Sequence, residues 1–136
     1  MRLNAHLSFH GQCEEAFRFY EKCLGGKIAF ALTYGESPMA GDASEEQRGR
    51  ILHMRLDVQN DILTGADSWP APEQTARNIT IALHYKDGDE AERVFHALAE
   101  GGAITMPIQK MFWTSHFGML TDRFGVPWMV NVNAAA

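Results

Sequence analysis

Six histidines and two cysteines are the side chains best able to ligate a metal or move a proton in this chain of 136 residues. His6 and His10 share one face of a predicted strand, but at strand rise they lie roughly 13 Å apart and cannot chelate one ion together. His53 sits among Ile51, Leu52 and Met54. It reads equally as a polar ligand contact or as a structural histidine. His84, at a strand end, and His96, on a helix, read as surface residues. Cys13 and Cys23 fall in one predicted helix, roughly 15 Å apart along its axis, too far to bridge. They read as reduced thiols acting as small buried hydrophobes. The aromatics Phe112, Trp113, Phe117, Phe124 and Trp128 are crowded together. Phe124 and Trp128 read as core, whereas Trp113 and Phe117 are either core or the wall of an apolar pocket suited to a planar or hydrophobic ligand. Asp122-Arg123 reads as a solvated turn. No nucleophile motif, CxxC or phosphate-binding loop is present, and Gly41-Asp42-Ala43 is no substitute for one.

The elements that must position these residues follow from periodicity. Leu3–His10 alternates, with Leu7 and Phe9 on one face and His6, Ser8 and His10 on the other, as in a half-buried strand. Ala16, Phe17, Tyr20 and Leu24 recur at helical spacing from Cys13, and Gly25-Gly26 ends that helix. Lys27–Tyr34 reads as a strand, residues 35–49 as a polar loop, and Arg50–Val58 and Ile62–Asp67 as two more strands. Ser68–Thr75, with Pro70 and Pro72, reads as a linker. The pattern then restarts. Asn78–Tyr85 alternates, with Ile79, Ile81 and Leu83 opposite Asn78, Thr80, Ala82 and His84. Asp87-Gly88-Asp89 caps a helix over Asp89–Glu100, Gly101-Gly102 ends it, and strands follow near Ile104–Lys110, Ser115–Thr121 and Trp128–Val132. A β-α-β-β-β order therefore occurs twice. The expected fold class is α+β: one domain over residues 1–136, with module one at 3–67, a linker at 68–76 and module two at 77–133.

Composition narrows the function. Hydrophobic residues are 46% and charged residues 21%, an ordinary globular balance. A net charge of −5 and a pI of about 5.6 argue against nucleic-acid partners, which call for a basic surface. No apolar run is long enough for a membrane span, and no secretory signal pattern opens the chain. The expected location is cytoplasmic.

Several stretches carry a family resemblance. Leu7-Ser8-Phe9 leads through Gly11 to Ala16-Phe17-Arg18-Phe19-Tyr20 and on to Leu24-Gly25-Gly26. Tyr34-Gly35-Glu36-Ser37-Pro38 follows, then His53. The most specific stretch runs from Phe112-Trp113 through Phe117-Gly118 to Thr121-Asp122-Arg123-Phe124-Gly125-Val126-Pro127-Trp128. Over nearly its whole length the chain resembles the vicinal oxygen chelate superfamily of glyoxalases, bleomycin-resistance proteins and extradiol dioxygenases, in its PhnB-like branch. The resemblance implies two modules whose strands curl into a cup with helices outside. It also implies a homodimer, because paired modules from one or two chains complete such cups.

Metal-dependent members hold one divalent ion with inward-facing His, Glu or Gln, and such a site takes three or four converging donors. Carried over by strand parity, those positions fall on His6, Asn78, Met129 and, in the fourth strand, Leu63. Only His6 is a strong donor. A non-standard set drawn from His53, Glu36 or Asp67 is the alternative. The expectation is therefore a binder of a small, partly apolar organic molecule, without a cofactor or the superfamily metal. Its cup would be lined by His6, Tyr34, His53, Asn78, Trp113, Phe117 and Met129, and no catalytic residue is assigned. The competing readings are a metal-dependent lyase, isomerase or dioxygenase and a non-catalytic dimeric module. Methyltransferase activity, a name attached to PhnB-like sequences, finds no strand–GxGxG–helix unit here.

Overall fold

Alternating residues near the N-terminus become β1 (Ala5–Phe9), which leads into α1 (Cys13–Leu24) and β2 (Lys27–Thr33). A short α2 (Glu45–Arg48) precedes β3 (Ile51–Val58) and β4 (Asp61–Asp67). The computed structural model describes residues 1–68 and 78–132. The chain divides into two units, residues 1–74 and 75–136. The second repeats the order with β5 (Ile81–Tyr85), α3 (Gly88–Ala99), β6 (Ala103–Met111), β7 (Thr114–Thr121) and β8 (Pro127–Val132). Apart from Ser68, the linker expected at 68–76 lies outside the described residues, as does residue 133.

Each unit holds one four-stranded sheet, ordered β1-β4-β3-β2 in the first and β5-β8-β7-β6 in the second. β1 runs parallel to β4 and β5 parallel to β8, while the remaining neighbours are antiparallel. The same mixed topology twice is the signature of the βαβββ repeat.

A helix covers one face of each sheet. In the first unit Phe9, Phe17, Tyr20, Met54, Leu56 and Leu63 are buried, and in the second Val94, Phe95, Leu98, Leu120, Trp128 and Val130. Ring-on-backbone contacts fix which face this is. A side chain at Gly65 would strike the Phe17 ring 2.6 Å away, and one at Gly118 the Phe95 ring, also at 2.6 Å. Both glycines let a helix aromatic lie directly on a strand.

The paired glycines after each helix divide two tasks. Gly25 (φ 71°) and Gly101 (φ 77°) adopt the left-handed conformation that closes a helix. Gly26 and Gly102 instead lie against the next hairpin: a Cβ at Gly26 would meet the Asp57 carbonyl at 2.6 Å, and one at Gly102 would collide with the Thr121 carbonyl. Nothing lies within 4 Å of a Cβ built on Gly25. Gly25→Ala is therefore expected to cost only the backbone penalty, about 1 kcal/mol. Gly26→Ala must move β2 off β3 and is expected to cost about 2–3 kcal/mol. Denaturation midpoints of the two variants test this, and equal values would refute the division of roles.

Some features differ from expectation. Residues 35–49 are not all loop: the Ser44 hydroxyl accepts from Gln47 N at 3.1 Å and starts α2. β5 begins at Ile81 instead of Asn78, because its ladder partner β8 offers no residue before Pro127, the register starting at Ile81↔Trp128. Ile79, read from alternation as sharing the face of Ile81 and Leu83, precedes β5 and is 63% exposed.

Candidate functional site

Among the described residues of the first unit, α1 packs on one face of the sheet, and the opposite face carries a different set of side chains. The register aligns His6 with Thr64 and Thr64 with Arg55, and pairs Arg55 with Phe30. Pairing of Leu32 with His53 places both on that same face. The His6 and His53 rings lie nearly parallel, 11° apart in plane with centroids separated by 6.4 Å. Phe30 tilts against His53 at 5.7 Å. His6 Nδ1 shares a hydrogen bond with Thr64 Oγ1 at 2.8 Å, and Asn4 Nδ2 donates to the same hydroxyl at 3.2 Å. Partial burial, and then the neighbouring His53, hold the His6 imidazole below its ordinary pKa, which favours the neutral ring. Arg55 and Asp57 pair with each other at 2.7 Å.

In the second sheet the face opposite α3 carries two aligned rows. One runs Ala82, Met129, Met119, Met106, and the next runs His84, Asn131, Phe117, Gln109. Trp113, in the β6–β7 turn, packs on Phe117 at 5.5 Å and on Phe112 at 4.6 Å. Asn131 Nδ2 and His84 Nδ1 are 3.3 Å apart. Methionine thioethers beside aromatic rings make a soft, adaptable apolar surface.

The expected site residues are thus distributed unevenly. His6 and His53 come together in the first unit, and Trp113, Phe117 and Met129 share the open side of the second. Tyr34 has a different place: it is buried, and its hydroxyl donates to the Asp67 carbonyl at 2.9 Å. Burial first, and Asp67 second, raise its pKa. Asn78 is exposed and precedes β5, so strand parity does not fix where it points. Leu63 requires correction. The β4 residue beside His6 is Thr64, whereas Leu63 pairs with Ala5 and Leu56 and is buried on the α1 side. Alternation did not expose Phe30, Thr64, Met106 or Met119 as companions of these residues, because only the inter-strand register reveals them.

The non-standard donor set also meets a structural obstacle. Asp67 is buried, with Oδ1 accepting from Gly11 N at 2.7 Å and Cys13 N at 3.1 Å, and Oδ2 from Ile51 N at 2.9 Å. It caps α1, whose N-cap residue Gln12 makes no capping bond with its own side chain. Glu36 closes its own turn by accepting from Thr33 N and Oγ1 at 3.1 and 2.8 Å, bonds that lower its pKa. Among the described residues no three His, Cys, Asp or Glu side chains are grouped to hold a metal ion. The superfamily metal does not fit this donor chemistry. Cys13 offers no substitute, since burial, then Asp67 and Glu14, push its thiol up to about 12. Both cysteines are buried thiols outside any disulfide, as expected.

Asp122 is a second correction. Instead of standing in solvent, it is buried, accepting from Phe124 N at 2.8 Å and Val126 N at 3.0 Å through Oδ1, and from Trp128 Nε1 at 2.8 Å through Oδ2. Its turn needs an internal acceptor for three donors.

Two mixed sheets of βαβββ order, each with a helix packed on one face, define the class. The chain belongs to the Glyoxalase/Bleomycin resistance protein/Dioxygenase superfamily, whose description matches residues 2–130. It is 32% identical over 140 residues to Protein YjdN of Escherichia coli (strain K12), a match covering 97% of this chain and 95% of YjdN. Among solved structures, protein PA1353 from Pseudomonas aeruginosa superposes with a TM-score of 0.90 at 40% identity, covering 98% of both chains. A PhnB protein from Bacillus cereus gives 0.83 at 26% identity, over 98% of this chain and 100% of its own. The PhnB-like resemblance read from the sequence accords with these neighbours. No helix among the described residues is long and apolar enough to cross a membrane.

Proposed function

We propose that this protein binds a small, partly apolar organic molecule on the sheet faces opposite α1 and α3, without the superfamily metal and in the cytoplasm. The observation that carries the reading is the side-chain chemistry of those faces. Histidine, phenylalanine and methionine occupy register-matched positions there and Trp113 of the β6–β7 turn packs on Phe117, while no three-donor group accompanies them among the described residues. One histidine does not hold a divalent ion against water and buffer, whereas three or four donors in fixed geometry do. Dispersion and stacking on rings and thioethers suit an organic ligand.

Elemental analysis of protein purified without chelator is the test. Zinc, nickel, manganese and iron are each expected far below one per chain, with no change on His6→Ala. About one ion per chain, lost in that variant, would overturn the reading and restore a metal-dependent lyase, isomerase or dioxygenase. The proposal includes a homodimer. Among the described residues both sheets end on strands with one unpaired edge, β1 and β2 in one and β5 and β6 in the other, and such edges favour a partner. Sedimentation of the same preparation at micromolar concentration is expected to give about twice the mass of a single 15.2 kDa chain. A single-chain mass refutes the dimer.

A further inference from the structure

We infer that the open face of the first sheet recognises a flat, uncharged aromatic ring, taken up against His6, His53 and Phe30. The inference rests on the small-molecule reading above and names the class of ligand.

Three rings from three strands form a line across the sheet. His6 comes from β1, His53 from β3 and Phe30 from β2, with Thr64 of β4 lying between the first two strands. Cross-strand ring pairs often serve stability alone, and then they close up and are buried. Here the rings stay open. Phe30 is 47% exposed, and His6 and His53 are both exposed. The two imidazoles are parallel to within 11°, yet their 6.4 Å separation is near the outer end of the roughly 4.5–7 Å over which ring pairs interact. They sit at the loose end of stacking contact, and the exposed sides of His6, His53 and Phe30 remain where a third ring could pack.

The polar groups on this face favour a neutral guest. Thr64 holds the His6 ring through Nδ1, which fixes its plane and leaves the Nε2 edge open. The nearby charges, Arg55 and Asp57, neutralise each other at 2.7 Å. Neither histidine is ion-paired with a carboxylate among the described residues. A ring approaching His6, His53 and Phe30 meets three π surfaces beside an ion pair that is already closed. Stacking of a nucleic-acid base on one aromatic side chain is worth roughly 5- to 150-fold in affinity, so a contact of this kind is large enough to select flat molecules over puckered ones.

Naphthalene-2-carboxamide and its fully saturated decahydro analogue separate flatness from apolarity, since they share one carbon skeleton and one polar group. Titration of each is followed calorimetrically and through the imidazole C–H proton resonances. The flat probe is expected to bind about tenfold more tightly than the saturated one. It should shift the C–H signals of both His6 and His53 upfield by ring current. His53→Ala should weaken it about tenfold and His53→Phe should retain it. Phe30→Leu provides a second variant, with backbone amide spectra reporting that each variant keeps its fold. Equal binding of the two probes, or binding of the flat probe without movement of the His6 and His53 signals, overturns the inference and leaves the small-molecule reading in place. Failure of both probes to bind up to their solubility overturns the inference, and the broader reading then stands or falls on the metal analysis.

Discussion

Asp67→Ala is expected to destabilise the protein by roughly 3–5 kcal/mol, far more than removing any surface charge. The side chain is 2% exposed and accepts three backbone N–H groups from two segments distant from it in sequence, Gly11 and Cys13 in one and Ile51 in the other. Each would otherwise be a donor out of reach of water, at about 1–3 kcal/mol apiece, with water entering the gap offsetting part of the total. One carboxylate thus caps α1 and ties its start to both β3 and β4. Asp67→Asn keeps the shape but presents an N–H to one of these donors, so an intermediate loss is expected. Asp57→Ala supplies the comparison, because Asp57 is half-exposed and its pair with Arg55 is worth about 1 kcal/mol or less. Urea denaturation of the three variants measures the order. If Asp67→Ala falls within 1 kcal/mol of Asp57→Ala, the carboxylate is not the tie described here.

The role of Asp67 also marks where sequence reasoning stops. The second helix carries a local signal, Asp87, whose carboxylate accepts from Glu90 N three residues on. The first has Gln12 at the same position, and its acceptor stands 54 residues from Cys13. No local pattern can reveal such a cap, so Asp67 was legible only as a strand end or a spare ligand. Alternation resolved β1 because Leu7 and Phe9 contrast with His6 and Ser8. It failed in β4, where Ile62 and Leu63 are both apolar and either parity is plausible. What decides the parity is the need for Gly65 beneath Phe17, a tertiary constraint that places Thr64 beside His6. The repeat itself was legible because helix-ending glycine pairs and strand alternation are local. The line of His6, His53 and Phe30 and the row of Met129, Met119 and Met106 depend on register across strands, which one sequence does not specify residue by residue.

Trp128→Ala is expected to be the most damaging single change in the second unit, at roughly 4–6 kcal/mol. The indole is 1% exposed on the α3 face of β8, and deleting so large a buried side chain costs about 3–5 kcal/mol through lost burial and the cavity left behind. The rest comes from chemistry. Trp128 Nε1 donates to Asp122 Oδ2 at 2.8 Å, and the same carboxylate organises the β7–β8 turn by accepting from Phe124 and Val126. A hydrogen bond to a charged group contributes about 1.5–3 kcal/mol. Trp128→Phe keeps much of the apolar volume and loses the donor, so it is expected to cost about 2–3 kcal/mol. A double-mutant cycle separates the two contributions. If the indole N–H and the carboxylate act as a unit, Trp128→Phe should cost much less in an Asp122→Ala background, with a coupling of about 1–2 kcal/mol. Additive losses within about 0.3 kcal/mol would mean that the turn does not depend on the indole. The burial of Asp122 would then have to be explained by its two backbone donors alone.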